Sequence, residues 1–596
     1  MFLKRLERRK NGKRHTYWTL VESIRTAGGS RHRVVAYLGE LTARQSSGWA
    51  ALGRRLDGKD RPQPMLFDPP RYDEPADDEP VLVNLKGVRL QRLRDFGDVW
   101  LALGLWRLLG LDGLLARRMS AGREDVPWPV VAAILAVARF CEPSSELHIE
   151  DTWYRRTALD DLVGVAAEQV HTDRLYAGLD ALLVHKEAIE QHLKARLGDL
   201  FDLKYELLLY DVTSTYFEGE CLGNPMAKRG YSRDSRPDCV QVCIGLVVTT
   251  DGMPLGHEVF DGNTGDSTTV EQIVEAMEAK YGRADRVWVM DRGMVSEANL
   301  AYIRGRGGSY LVGTPKAMLR QFEQYLVDKD WHEVQAGVEV KLVLGPDGTE
   351  TFILARSRDR REKEKAMHGR FLDRMEEGLK KLAASAASGR LKDAGEARER
   401  LGRLRERYWR AAGAFDVAIA PLEKPEGKMR LSVTWKRNGR WGEWAAMSEG
   451  CYLLRTNLTE TDPAVLWKRY IQLTEAEWAF RITKDELAIR PVWHQTADRV
   501  KAHILVCFLA YAMWKTLAQW MRGAGLGDAP RTVLEEFARV KSGDVVLATR
   551  TADGRPDKTI RLRCVTSPDE GQKVLLGRLG LTLPQRLRRV NEVAQM

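Results

Sequence analysis

The sequence predicts an α/β protein built on a mixed sheet, and three observations predict it. Residues 205–219, YELLLYDVTSTYFEG, form a long apolar run ending in polar turn residues. Residues 239–262, CVQVCIGLVVTTDGMPLGHEVFDG, read as two further strands folded back at Asp251-Gly252. A helical stretch over 266–281, capped at Asp266, then leads to strands in VWVMDRG at 287–293 and GSYLVGT at 308–314. The plan is three antiparallel strands, a helix and two more strands, with Asp211 and Asp291 at strand ends.

The remaining elements divide the chain around that plan. Residues 1–57 begin with alternating β-branched runs on either side of Gly28-Gly29, a hairpin signal in a strongly basic setting, and are expected to form a small DNA-binding β module. Residues 58–82 hold Pro62, Pro64, Pro69, Pro70, Pro75 and Pro80 and read as a stiff linker. From 83 to 203 the apolar spacing turns helical, with Leu90, Leu93, Phe96, Val99 and Trp100 at intervals of three to four and a buried helix after Pro127 and Pro129. A helical region that shares in DNA recognition is expected there.

The plan itself occupies 204–315. Residues 316–450 are expected to be an insertion, strand-like at 317–355 and 412–450, with a helical hairpin between them turning at Ala383–Gly389. Over 451–520 a long helix at 463–488 and another at 496–520 are expected, and 521–596 form a mixed basic C-terminal region.

The chain has 596 residues, with 93 Lys and Arg against 83 Asp and Glu, a net charge of +10. Residues 1–35 carry ten basic side chains, among them Arg8, Arg9, Lys13 and Arg14, against two acidic ones. Residues 356–410 carry 18 against 10. Each stretch nets +8, so the rest of the chain is mildly acidic, and such concentration is the footprint of a polyanionic partner. Basic runs on helices are also ordinary solvated faces. No apolar run approaches the ~20 residues of a membrane span, and the first residues lack the apolar segment of a secretory signal. A cytoplasmic protein without membrane contact is expected. Seven cysteines show neither CxxC pairs nor zinc spacing, and no phosphate-binding GxxxxGK[ST] loop occurs.

The chemistry rests on carboxylates. Strand-end Asp211 and Asp291 alone are common turn formers. Tyr470, Glu477 and Lys484, however, are spaced by seven, which on one continuous helix returns to nearly the same face. Three acids converging on one point repel unless cations lie between them. Oxygen ligands suit Mg²⁺ or Mn²⁺, and a pair of such ions stabilises attacking and leaving oxygens in phosphoryl transfer. A glycosidase built on paired carboxylates is the competing chemistry, and the basic segments argue against it. The cations just after the first strand, Lys228, Arg229, Arg233 and Arg236, together with Arg292, are placed to reach DNA phosphates or to form a solvated loop. His494 and His503 read as structural or DNA-adjacent rather than metal-ligating, and Trp478 reads as a base-stacking or packing residue.

The motifs DVTSTYFEG at 211–219, MDRGMVS at 290–296, and Y-x6-E-x6-K at 470–484 followed by RPVWH at 490–494 resemble the DDE transposases of bacterial insertion sequences. The likeness is to the IS-four superfamily, with its Tyr-Arg-Glu-Lys signature, and within it to the IS-sixteen-thirty-four branch. It covers roughly residues 10–515. It implies a ribonuclease H-like catalytic core, a mixed five-stranded sheet with helices interrupted by an α+β insertion.

Carried over by position, Asp211, Asp291 and Glu477 become the catalytic triad holding two Mg²⁺ (or Mn²⁺). Tyr470 and Lys484 become contacts to phosphates near the cut end. The position of the signature arginine is Leu473, for which Arg469 or Arg481 is the nearest substitute. The expected function is a DNA transposase. It binds terminal inverted repeats, cuts at the element ends, joins the 3′-OH ends to target DNA, and acts at the nucleoid as a homodimer in the synaptic complex. The alternatives are a metal-dependent nuclease of the same fold that cuts without joining, and an inactive DNA-binding protein.

Overall fold

A computed structural model describes residues 2–10, 13–26, 29–39, 81–119, 122–283, 286–345, 347–426, 429–551, 553–584 and 586–590. Its central element is a mixed sheet. The core strands are β1 (Leu207–Tyr216), β2 (Gln241–Val248), β3 (Pro254–Asp261), β4 (Val287–Met290) and β5 (Ser309–Gly313). They stand in the order β5-β4-β1-β2-β3, with β2 antiparallel to both β1 and β3 and with β4 and β5 parallel to β1. Three antiparallel strands followed by two parallel crossovers is the ribonuclease H-like arrangement. Every residue of β2 is buried, which is why its sequence is apolar without alternation.

The sheet does not stop at five strands. β6 (His332–Gln335), β7 (Val338–Leu344) and β8 (Thr351–Ser357) join it through β9 (Cys451–Thr456), which pairs antiparallel with β5, giving nine strands in the order β6-β7-β8-β9-β5-β4-β1-β2-β3. The first part of the segment expected as an insertion therefore belongs to the central sheet. What stands apart is the hairpin of helices Arg358–Ala387 and Ala394–Arg407, packed on a two-stranded sheet of Phe415–Glu426 and Met429–Arg437. Met375, Leu379, Leu382 and Leu401 meet Leu431 and Val433 there. Residues 316–327 and Gly439–Ser448, read from sequence as strand-like, are helical.

The two sheet faces bury different partners. Leu208, Tyr210, Val212, Trp288 and Met290 face α1 (Val270–Tyr281) and the helix Glu297–Gly305. Leu209, Val289 and Leu311 face the other side. That side is covered by α2 (Pro463–Ile471), α3 (Thr474–Arg481) and α4 (Ala497–Gly523). Around α4 pack the helices Gly97–Leu108, Trp128–Cys141 and Thr172–Leu183. Among the described residues α4 is the one unbroken helix long and apolar enough to cross a membrane, and it lies buried inside the protein.

The N-terminal region forms a three-stranded antiparallel sheet of Phe2–Lys10, Lys13–Thr26 and Gly29–Gly39. The linker expected at 58–82 lies outside the described residues up to residue 80. Residues 89–95, expected to be helical, are a strand paired with Lys541–Arg550, which pairs in turn with Pro556–Val565. The cause of the misreading is a bulge. Arg92 and Leu93 together lie opposite Gly543, and Arg92 has φ of +51°. The extra residue brings Leu90 and Leu93, both exposed, to a spacing of three that mimics a helix.

Candidate active site

Register places the acids. In the parallel pairs Tyr210 lies beside Met290 and Met290 beside Val312. Side chains alternate along a strand, and Leu209, Val289 and Leu311 point to the α3 side. Two residues on, Asp211, Asp291 and Gly313 come out toward that same side. Asp211 is within β1 and half-buried, while Asp291 is exposed, just past β4, at the head of the short turn Arg292–Met294. α3 rests on β1 and β2, burying Ala476, Ala479 and Phe480, and carries Glu477 on its exposed flank.

The electrostatics show that these three groups sense one another. Burial, and after it the charges of Asp291 and Glu477, push the Asp211 carboxyl up to about 7 against the opposing pull of the Val212 amide and Arg233. Its Oδ1 accepts the amide of Val212 at 2.8 Å. Burial and then Asp291 raise Glu477 above the usual carboxylate range, with Arg481 opposing. A site where Asp291 opposes the ionisation of both Asp211 and Glu477, with so few cations nearby, suits hard divalent ions bound through oxygen.

The helix expected over 463–488 is broken. α2 ends at Ile471, α3 starts at Thr474, and a π-turn follows at Ile482–Glu486. Leu473 sits at the first break with its side chain in the core, 6% exposed, so the apolar residue at the signature-arginine position turns the chain inward. Tyr470, Glu477 and Lys484 therefore stand on three successive short elements and not on one continuous helix. Tyr470 ends α2, and its hydroxyl lies over Gly313, where an added Cβ would come within 2.5 Å. Burial and then Asp291 raise its phenol. Lys484 lies on another side, with Nζ 2.8 Å from Asp234. Arg490 binds the same Asp234 carboxylate.

The other expected contacts disperse. Arg233 pairs with Asp266 and lies close enough to oppose the Asp211 shift. Arg481 stands 5.0 Å over the ring of Trp478, itself 41% exposed, beside Glu477. Arg292 is exposed in the turn after Asp291, and Arg229 is exposed on the loop after β1. Arg236 stacks on Tyr216 and pairs with Asp238. Arg8 lies opposite His15 and Arg9 opposite Arg14 near the end of the first hairpin, and Lys13 pairs with Lys10. The side chains of those N-terminal cations are outside the described residues.

Three features were not legible in sequence. Glu475, two residues before Glu477, meets the fully buried cation Lys515 of α4 at 3.4 Å, tying the catalytic helix to the core. Asp234 came from a turn-like stretch that gave no signal. Glu146, His494 and His503 form a buried cluster whose ligand atoms lie within 4.8 Å of one another. His503 Nδ1 faces Arg139 at 3.5 Å, its Nε2 lies 3.3 Å from the Ile489 carbonyl, and Glu146 Oε1 is 3.5 Å from His494 Nε2. Both ring nitrogens of His503 are already engaged, one by a cation.

A family model described as the transposase DDE domain matches residues 202–513, just over half of the chain. The chain belongs to the DDE transposases. A second model, the N-terminal domain of IS1634 family transposases, matches residues 3–65 of this transposase. The transposase is thus a DNA-binding enzyme whose chemistry depends on a divalent metal. No curated protein matches it. Among solved structures it is similar to a piggyBac transposase synaptic complex with hairpin DNA, at 8% identity and a TM-score of 0.35, covering 77% of this chain and 82% of that one.

Proposed function

We propose that Asp211, Asp291 and Glu477 hold two Mg²⁺ or Mn²⁺ ions and that the transposase cuts element ends and joins them to target DNA as a homodimer. The observation that carries this reading is the convergence of three carboxylates on one sheet face, where Asp291 and Glu477 act on Asp211 and Asp291 acts on Glu477. When bound, the ions supply Lewis-acid activation of the attacking oxygen and stabilise the leaving one. The residues of the chain do the rest. Asp211 is placed by β1 and fixed by the Val212 amide, and Asp291 is presented by the turn after β4. Glu477 is held at its height by the packing of α3 and by the Glu475–Lys515 pair.

In cleavage, water attacks the phosphorus at the element end, the P–O3′ bond breaks, and a 3′-OH is left. In joining, that 3′ oxygen attacks a target phosphorus and displaces the target 3′ oxygen. Tyr470 beside Asp291, Arg292, and Arg481 with Trp478 line the approach and hold the strand by phosphate contact and stacking. Arg229, Arg233, Lys484 and the N-terminal cations Arg8, Arg9, Lys13 and Arg14 extend that contact along the inverted repeat.

The test supplies pre-cut duplex ending in a 3′-OH, a target plasmid and Mg²⁺. Joined product is expected from the wild type and none from Asp291→Ala. Cutting of uncut ends with no joining from pre-cut ends would replace this reading with a nuclease.

A further inference from the structure

We propose that Asp234 occupies an anion fork formed by Lys484 and Arg490, and that a backbone phosphate of the element end displaces it. The inference rests on the DNA-end reading above and deepens it. It makes Arg490 a DNA-binding residue and Asp234 an internal competitor for the substrate.

The geometry points there in four ways. Two cations meet one carboxylate, Lys484 at 2.8 Å and Arg490 in direct contact, with Arg233 close enough to act on Lys484 as well. The counter-charge is thin, since Asp485, the other acid on Arg490, is 3.2 Å away and more than half exposed. Second, Asp234 is 2% exposed, yet both cations contact only its Oδ1, while Oδ2 is buried and accepts no hydrogen bond. A carboxylate kept purely as a staple normally satisfies both oxygens. A tetrahedral phosphate, with oxygens facing several ways, suits a Lys–Arg fork better.

Third, the pieces are delivered by constrained backbone. Ser235, next to Asp234, has φ of +58°, and Ala488, between Lys484 and Arg490, has φ of +43°. Such conformations in non-glycine residues are costly and persist where the surroundings impose them. Fourth, the fork borders the chemistry. The amide of Arg233 donates to Ser214 Oγ on β1, three residues from Asp211, and Lys484 stands in the π-turn that directly follows α3, the helix of Glu477. Arg490 thus adds a second cation on the same carboxylate oxygen that Lys484 meets.

The experiment measures binding of 3′-OH-ended duplexes, made from the sequence flanking the gene, by fluorescence anisotropy across a salt series. Asp234→Asn keeps the shape and removes the competing charge. It is expected to tighten binding about tenfold, by freeing a site otherwise filled, and to leave the salt slope unchanged, because the same phosphate enters the fork in both proteins. Arg490→Gln is expected to weaken binding and flatten the slope by about 0.9, and the double variant to lose the gain of Asp234→Asn.

Equal or weaker binding by a normally melting Asp234→Asn protein, or no change in Arg490→Gln, overturns the fork alone. A folded wild type that binds no duplex overturns the end-binding reading and the fork with it. Should Asp234→Asn fail to fold, hydrogen exchange on the wild type decides. Amides of residues 230–239 lose protection on adding duplex if Asp234 is displaced, and unchanged or increased protection overturns the proposal.

Discussion

Two clusters of acidic groups in this transposase invite a metal, and they are built in opposite ways. Glu146, His494 and His503 are all buried and tightly gathered, but the charges close on themselves. Burial pushes the Glu146 carboxyl up, yet the hydrogen bond and charge of His494 overcome it and bring the group down to about 2. Burial, and then Arg139, drive the His503 ring down to about 3, so it stays neutral. At Asp211 and Glu477 the carboxyls move the other way, upward, first because of burial and then because the neighbours, Asp291 among them, are like charges. The difference teaches that compactness is a poor guide to a metal centre. A cluster whose neighbours satisfy its charges joins elements together, here the helix Trp128–Cys141, the Ile489–His494 segment and α4. A cluster whose neighbours aggravate its charges is waiting for a cation.

The strongest way to break this comparison is to remove the open acids singly. Asp211→Asn, Asp291→Asn and Glu477→Gln should each lower Mg²⁺-dependent strand cleavage on the order of 10³-fold or more, with the melting temperature preserved or raised. Substantial residual cleavage in any one of them would remove that residue from the site. The closed cluster should answer oppositely. Glu146→Ala leaves His494 without its partner and is expected to cost about 3–5 kcal/mol of stability in denaturant unfolding. Added Zn²⁺ should leave the wild-type melting temperature unshifted, whereas a metal site there would raise it.

Leu473→Arg, which restores the family signature, places a charge in the core and should cost about 2–3 kcal/mol without improving DNA binding. Tighter binding would mean that the break before α3 can reorganise. The smallest effect is a pH dependence. Asp211 has a raised native pKa, so the native state holds an extra proton between the ordinary carboxylate range and about 7. Stability of metal-free protein should therefore fall as the pH rises across that window, and Asp211→Asn should flatten the fall. Mg²⁺ affinity should rise over the same window as the competing proton leaves.

The catalytic core was readable because its signals are local. Runs of β-branched residues, the Asp251-Gly252 turn and the helix over Val270–Tyr281 gave β1 to β5 in order; Asp291 stands just past a strand end as expected, whereas Asp211 lies within β1 and Asp266 opens a short turn instead of capping the helix. Where non-local pairing decides, the reading failed. Residues 89–95 became a strand because Lys541–Arg550 offered a partner and a bulge disguised the period. Likewise β6, β7 and β8 joined the central sheet through β9, from a stretch that sequence set aside as an insertion.

By itself, the sequence determined the residue types on which the proposed site rests: three carboxylates for cations, and lysines and arginines for a polyanion. That chemistry is written in residue identity and short spacing. Only the tertiary structure decided which of those charges are available. The helix that was to align Tyr470, Glu477 and Lys484 is divided at Gln472 and the buried Leu473 and again by the π-turn after Arg481, and a loop far away in sequence brought Asp234 onto Lys484 and Arg490. The physical reason is that a charge's role depends on its nearest counter-charge and its exposure to water, and neither is a property of the residue alone.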